Sequence, residues 1–364
     1  MAKGLSLAVT NLKYIVGKKS ILDIDKLSVN SGEIVAVMGA NGAGKTSLFR
    51  ILGLIQKPSA GDIFIGGKLI NNTKKAFEAR QEITMLFQAP VLLNSYSVYD
   101  NVAYPLKIRG YNKDRIMEII WPLLEHFRID NLAKEKAWSV SGGEARRITL
   151  ARALSFEPKI LLLDEPFTFI DEWDKRQITK SFFSLARKKE VTVLFVTHQK
   201  EEAISMADRL LFINRGKIIQ QDSPHMVINK PKTEFIANFL DSIALLEGKT
   251  IKSDNGLTKI SVNGCFLYST DKQNDNTEVS MMLKPQDVIL GKQALKSSAR
   301  NSVKGKVVKI TDKSSYVEVN LDCGFNLAAH ISRAALEELC IKEGEDIVAG
   351  FKAGAVHLIP KGND

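Results

Sequence analysis

A chain of 364 residues that is 45% hydrophobic and 25% charged can bury a substantial core, and its length suggests two or three domains. No stretch approaches the roughly 18 apolar residues of a membrane-spanning helix, and the opening MAKGLSLAVTNLKY lacks the apolar centre and small-residue cleavage site of a secretory signal. A net charge of +10 fits nucleic acid, a membrane surface or anionic ligands, but the lysines are dispersed, which equally fits an ordinary basic soluble protein.

In chain order, residues 5–29 (LSLAVTNLKYIVGKKSILDIDKLSV) read as antiparallel strands with lysine-rich turns. The apolar runs EIVAVM, EITMLFQ, KILLLD and VTVLFVTH then alternate with helical segments at 45–54, 113–127, 142–155 and 172–189. Apolar runs without alternation predict strands buried on both faces, hence a layered α/β domain. Near residue 240 the pattern changes to short strand-like runs and turn clusters: LTKISVNGCFLYST, DKQNDNTE, EVSMMLKPQDVIL, then VKGKVVKITDKSSYVEVNLDCG. That spacing predicts a small barrel or barrels. Cys265, Cys323 and Cys340 lack metal-ligand spacing and read as reduced thiols of a cytosolic protein.

The stretch MGANGAGKTS follows the first of those apolar strands and opens a helix. Gly39, Ala40, Asn41, Gly42, Ala43 and Gly44 allow backbone N–H groups to turn inward around a phosphate, and the helix that begins with Lys45, Thr46 and Ser47 adds its dipole and a lysine charge. The Thr46 hydroxyl suits Mg²⁺. In KILLLDEP, Asp164 ends a buried strand and can orient Mg²⁺ directly or through water, while Glu165 can polarise an attacking water as general base. SVSGGEARRITLARAL places Ser141, Gly142, Gly143 and Glu144 at a helix start, and His198 ends the strand VTVLFVTH.

Taken in this order, the set resembles the ABC transporter ATPases from about residue 5 to about 235. The resemblance implies ATP and Mg²⁺ as cofactors, with Gln88 sensing Mg²⁺ and linking the site to a permease. It implies that Ser141, Gly142 and Gly143 contact a γ-phosphate held by another subunit, that Asp171 communicates across that dimer, and that His198 bridges the γ-phosphate and Glu165. One ATPase domain per chain then implies a head-to-tail homodimer with two-fold symmetry. Two departures stand out: Val140 precedes the signature where the family usually has leucine, and TFID, with Phe169 and Ile170, replaces the family's frequent SALD. For the aromatic platform under adenine, Tyr14 is the nearest candidate, although Val16 stands nearer the usual distance from the P-loop.

SVYDNVAYPLKIRGYNKDR resembles the helical-region entry of bacterial import ATPases, where a permease's short coupling helix docks. A role in DNA repair or translation would call for a long coiled coil or two ATPase domains; neither is legible, and no nucleic acid is expected. Residues 297–361 resemble the molybdate-binding-protein type of small barrel, on Ser298-Ala299-Arg300-Asn301, Gly305, Val307, Ile331, Ala335, Leu336, Leu339, Gly344 and Lys352-Ala353. There Ser298, the Ala299 backbone, Arg300 and Lys352 could offer donors and charge to a tetrahedral oxyanion. Gly354 removes a hydroxyl the family often has, and a purely structural barrel remains open.

The expected fold is an α/β P-loop ATPase domain (1–240) with an antiparallel β subdomain and a helical subdomain at about 90–155. An all-β, small-barrel, OB-like region follows, comprising a β-rich connecting region (241–296) and the molybdate-binding-protein-like domain (297–364). The expected activity is ATP hydrolysis on the cytoplasmic face of the cell membrane, powering import of tungstate or molybdate. Two copies would sit under two integral-membrane permease subunits, with cargo delivered by an external binding protein. Sulfate, iron, polyamine or sugar remain alternative cargoes.

Overall fold

The computed structural model describes residues 3–240, 244–254, 256–293 and 298–361. Two compact units divide between Pro224 and His225. In the first, a six-stranded sheet runs in the order Lys217–Asp222, Arg209–Asn214, Ile34–Met38, Thr192–Val196, Ile160–Asp164, Ile83–Leu86. All its pairings are parallel except the one between the first two strands. Ile34–Met38, Ile160–Asp164 and Thr192–Val196 are buried at every position, as their unbroken apolar sequences require.

A four-stranded antiparallel sheet, ordered Lys19–Val29, Leu7–Val16, Ala60–Ile65, Lys68–Leu69, covers one side. Its inward residues Leu7, Val9, Leu22 and Ile63 share a core with Val35, Phe49, Leu162 and Leu194. On the helical side, Phe127, Phe167, Phe182, Phe183 and Phe195 meet largely edge-on, with centroids 4.8–6.3 Å apart. The helical segment comprises Val98–Lys107, Lys113–His126 and Gly142–Ser155, capped by the side chains of Ser97, Asn112 and Ser141.

The second unit begins earlier than the sequence suggests. The compact boundary lies at 224/225, within the short helix Pro224–Asn229, and the helix Glu234–Phe239 belongs to the second unit. Ala237 sits in an apolar cluster with Met282 and Ile359, Ser280 donates its hydroxyl to Glu234, and the Pro231 carbonyl accepts from His357 Nε2 at 2.9 Å.

The stretches on either side of residue 296 share one core. One five-stranded antiparallel sheet runs Cys265–Ser269, Leu257–Val262, Ala244–Asp254, Glu278–Leu283, His357–Pro360; the other runs Ile289–Gly291, Asp346–Phe351, Asn301–Asp312, Val317–Asp322, Asn326–Ile331. Each sheet thus takes one strand from the other's stretch of sequence. A single cluster that includes Ile260, Met281, Val307, Val319 and Phe351 fills both. The sequence junctions at 241–243 and 294–297 lie outside the described residues.

A chain ended at residue 355 should therefore damage the sheet containing Glu278–Leu283. Leu358 and Ile359 are 2% and 1% exposed, and losing them costs about 3–6 kcal/mol in burial. Calorimetry should show the transition of the second unit lowered or lost while that of the first persists.

Candidate active site

The parallel strands deliver their following loops to one edge of the sheet, where open α/β sheets bind ligands. After Ile34–Met38 the chain turns through residues 39–44 into the helix Lys45–Leu52. Gly39 has φ 149°, and a Cβ there would lie 2.1 Å from the Ile213 carbonyl oxygen; Gly44 has φ 104°, and its Cβ would meet Leu22 at 2.7 Å. Only glycine fits either place.

Lys45 folds back so that Nζ donates to the carbonyls of Gly39 and Ala40, both at 2.8 Å, which uses two of its three N–H groups. Burial pulls its pKa below the ordinary lysine value, against the opposing pull of Glu165 and Asp164. Burial likewise raises the Asp164 carboxyl; the Thr46 hydrogen bond works the other way, and Glu165 adds to the rise. Thr46 Oγ1 donates to Asp164 Oδ2 at 3.0 Å.

Glu165 takes a left-handed φ of 48° just past its strand. Its carboxylate accepts from Gln88 Nε2 at 3.1 Å on one oxygen and lies 2.9 Å from His198 Nε2 on the other. His198 follows Thr197, whose hydroxyl donates to Glu202 at 2.6 Å, and Glu202 pairs with Lys175 at 3.1 Å. Asn41, Gly42, Gly44, Lys45, Thr46, Ser47, Gln88, Asp164, Glu165 and His198 line one cleft of about 420 Å³. With a lysine and backbone N–H groups on one wall and an oriented carboxylate on another, this cleft can hold a polyphosphate and present a base to a water molecule.

Ile21, from the antiparallel sheet, also lines the cleft, although nothing in its sequence neighbourhood signals this. Glu202 was missed as well, despite standing four residues beyond His198. Tyr14 is not among the lining residues: its ring packs on the core and its hydroxyl accepts from Gln56, so the structure does not bring it to the phosphate cleft. The strand bulges between Tyr14 and Ile15, leaving Ile15 and Val16 48% and 52% exposed.

Ser141 and Gly142 are exposed and lie outside the lining of their own chain's cleft. Ser141 and Glu144 form a capping box: Glu144 N–H donates to Ser141 Oγ at 3.3 Å, while the Ser141 N–H and hydroxyl donate to the Glu144 carboxylate, both at 2.8 Å. The backbone bond, then the hydroxyl bond, hold that carboxyl below its ordinary pKa. Asp171 caps the helix Glu172–Lys188 by accepting from the Asp174 N–H at 3.1 Å. In the TFID segment Ile170 turns inward at 7% exposure, while Phe169 stands outward at 59% with φ 73°, its carbonyl against Gly143.

In the second unit, Asn301 pairs with Phe351 at the end of a ladder, and Arg300 and Lys352 are the chain neighbours of those two residues just outside it. Ser298, Arg300 and Lys352 are exposed and Ala299 is partly covered. The Arg300 guanidinium lies 5.2 Å from the Tyr268 ring centroid. The Asn301 amide bridges the Tyr268 backbone, accepting from N–H at 2.7 Å and donating to the carbonyl at 2.9 Å.

Comparison with known proteins adds two family matches: the ABC transporter model at residues 22–168 and the TOBE domain model at 297–358. The chain is 32% identical to the molybdate/tungstate import ATP-binding protein WtpC of Pyrococcus horikoshii, over 91% of this chain and 94% of that one. It is 38% identical to the tungstate uptake system ATP-binding protein TupC of Peptoclostridium acidaminophilum, over 60% of this chain and 99% of that one. Against the spermidine/putrescine import ATP-binding protein PotA of Haemophilus influenzae the identity is 28%, over 87% and 85%. A solved post-hydrolysis dimer of the ATP-binding cassette MJ0796 bound to ADP and Pi shares the fold, with TM-score 0.56 and 24% identity over 60% of this chain and 98% of that one.

Glu144→Ala removes the carboxylate half of the reciprocal cap, the two bonds from the Ser141 N–H and hydroxyl, and leaves the backbone N–H to Ser141 Oγ bond; it should cost about 1 kcal/mol at neutral pH. A carboxyl with a depressed folded pKa contributes stability above its unfolded value of about 4.3 and loses it as pH falls through the folded one. The gap between variant and wild type in urea midpoints should therefore be full at pH 7 and narrow below about pH 4.

Proposed function

The chain belongs to the ABC transporter ATP-binding family, and on that premise we propose that it is the ATP-hydrolysing subunit of an importer for oxyanions of the tungstate/molybdate class. One observation carries the ATPase assignment to particular residues: Glu165 is held on its two oxygens by Gln88 and His198, beside the Thr46–Asp164 pair, in the cleft formed by the glycine turn.

ATP brings the γ-phosphoryl group, and Mg²⁺, when bound, neutralises charge on the phosphates. The donor set fits such a hard cation: the Thr46 hydroxyl and the Asp164 carboxylate lie 3.0 Å apart, with the Gln88 amide lining the same cleft. Residues 39–44 and the first turn of the following helix receive the phosphates, with Lys45 offering its remaining N–H. Glu165 orients and polarises the attacking water, while His198 and Gln88 fix its direction. A platform under adenine falls to Ile15 and Val16 more readily than to Tyr14, because only the former pair is exposed.

The signature serine and first glycine face solvent away from their own cleft, which supports a second copy of the chain as the partner they complete. A groove of about 470 Å³ lined by Met85, Phe87, Val91, Leu93, Tyr104 and Phe156 lies beside Gln88 and suits the short docking helix of a permease at the membrane's inner face. Two such permease subunits and an external binding protein complete the importer. For cargo, the relatives named for molybdate and tungstate and the exposed cations Arg300 and Lys352, which flank the Asn301–Phe351 pair in the second unit, favour a tetrahedral oxyanion over polyamine.

Glu165→Gln should bind ATP within a few-fold of wild type yet lose about 100-fold or more of its turnover, as measured by phosphate release. Lys45→Ala should instead weaken ATP affinity itself, by about tenfold or more in a nucleotide titration. For cargo, tungstate, molybdate and sulfate are titrated calorimetrically into the full chain. Selective binding abolished by Arg300→Ala is the expected result; absence of binding would make the barrel structural and leave the ATPase assignment standing.

A further inference from the structure

Arg146 has an unusual environment for a cation. It lies in the helix Gly142–Ser155, one turn beyond the signature, and is 0% exposed. Among the described residues no carboxylate pairs with it. Its charge is met by three backbone carbonyls: Nε donates to Thr168 at 3.3 Å, Nη1 to Phe87 at 3.0 Å, and Nη2 to Gln88. Burial lowers its pKa to about 10, which leaves it protonated at neutral pH.

Those carbonyls belong to two loops that meet in the cleft. One carries Gln88, whose amide holds Glu165. The other descends from Glu165 itself, and there Thr168 also donates its hydroxyl to the Glu165 carbonyl at 3.1 Å. A single rigid guanidinium therefore grips the backbone beneath both partners of the Gln88–Glu165 bond, from a helix whose first turn is the signature. The planar fork with five donors matches carbonyls approaching from different directions. An ammonium group on a lysine chain is a point charge whose donors cannot span them.

We propose that Arg146 is a positioning residue for hydrolysis: it sets the spacing between Gln88 and Glu165 and couples that spacing to the signature helix. It touches no reacting atom, so its loss should leave ATP binding largely intact and lower the rate of the chemical step. A role in folding alone would lower stability and leave the kcat of the folded protein unchanged.

This inference builds on the ATPase reading, and its test separates the two. In Arg146→Lys, kcat should fall at least tenfold while KM for ATP stays within about threefold. In the Gln88→Ala background the same substitution should cost almost nothing further, because both changes act on one contact. Unchanged kcat in Arg146→Lys, or full multiplicative loss in the double variant, overturns the proposal. Hydrogen–deuterium exchange of peptides spanning 84–90 and 164–170 supplies a readout that needs no turnover. Exchange in both should rise in Arg146→Lys, and in Arg146→Gln should the lysine variant melt below the assay temperature. Wild-type exchange in both peptides of the folded variant overturns the proposal even if the ATPase reading holds, whereas a wild type without ATP turnover counts against that reading alone.

Discussion

The structure depends on a constraint of parallel sheets: every strand ends at the same edge. Because Ile34–Met38 neighbours Thr192–Val196, which neighbours Ile160–Asp164, which neighbours Ile83–Leu86, four loops must open side by side. They bring Lys45, His198, Glu165 and Gln88 into one cleft from positions up to 153 residues apart in the sequence. The three strands buried at every position cannot slip in register without exposing apolar side chains, so the spacing of the loops that follow them is held by the core beneath.

On that frame the electrostatics are set by burial acting oppositely on the two signs. Desolvation lowers the Lys45 pKa and raises that of Asp164, and their mutual proximity opposes both shifts. Arg146 handles the same problem differently, dispersing its charge over three carbonyls and so acting on the loops' backbones.

The second unit uses strand exchange. Ile289–Gly291 completes the sheet of Asn301–Asp312, while His357–Pro360 returns to complete that of Glu278–Leu283. His357 ties this returning strand further, bonding to Asp271 through Nδ1 at 2.5 Å and to the Pro231 carbonyl through Nε2. Asn301 stands at the end of one of these ladders and also bonds the Tyr268 backbone of the other sheet, so the chain at this point is braced from both sheets.

Much of the ATPase unit was legible in the sequence because its elements are locally coded. The unbroken apolar runs gave the buried strands, helix 142–155 matches its expected bounds, and the glycines at 39, 42 and 44 adopt the positive φ that a phosphate-binding turn requires. What the sequence could not supply depends on which elements touch. Residue type alone offers Tyr14 as a platform; that its ring packs on the core, beside a bulge between Tyr14 and Ile15, depends on contacts the local sequence does not record. The boundary near 240 followed a change in composition, whereas the packing of Ala237 on Met282 and Ile359 moved the short helices into the second unit. Ile21, the Lys175–Glu202 pair and the burial of Arg146 carry no local signature either. The sequence alone determined the chemistry present and the strands that display it; only tertiary contact decided which groups meet, because residue type records no distance between segments far apart along the chain.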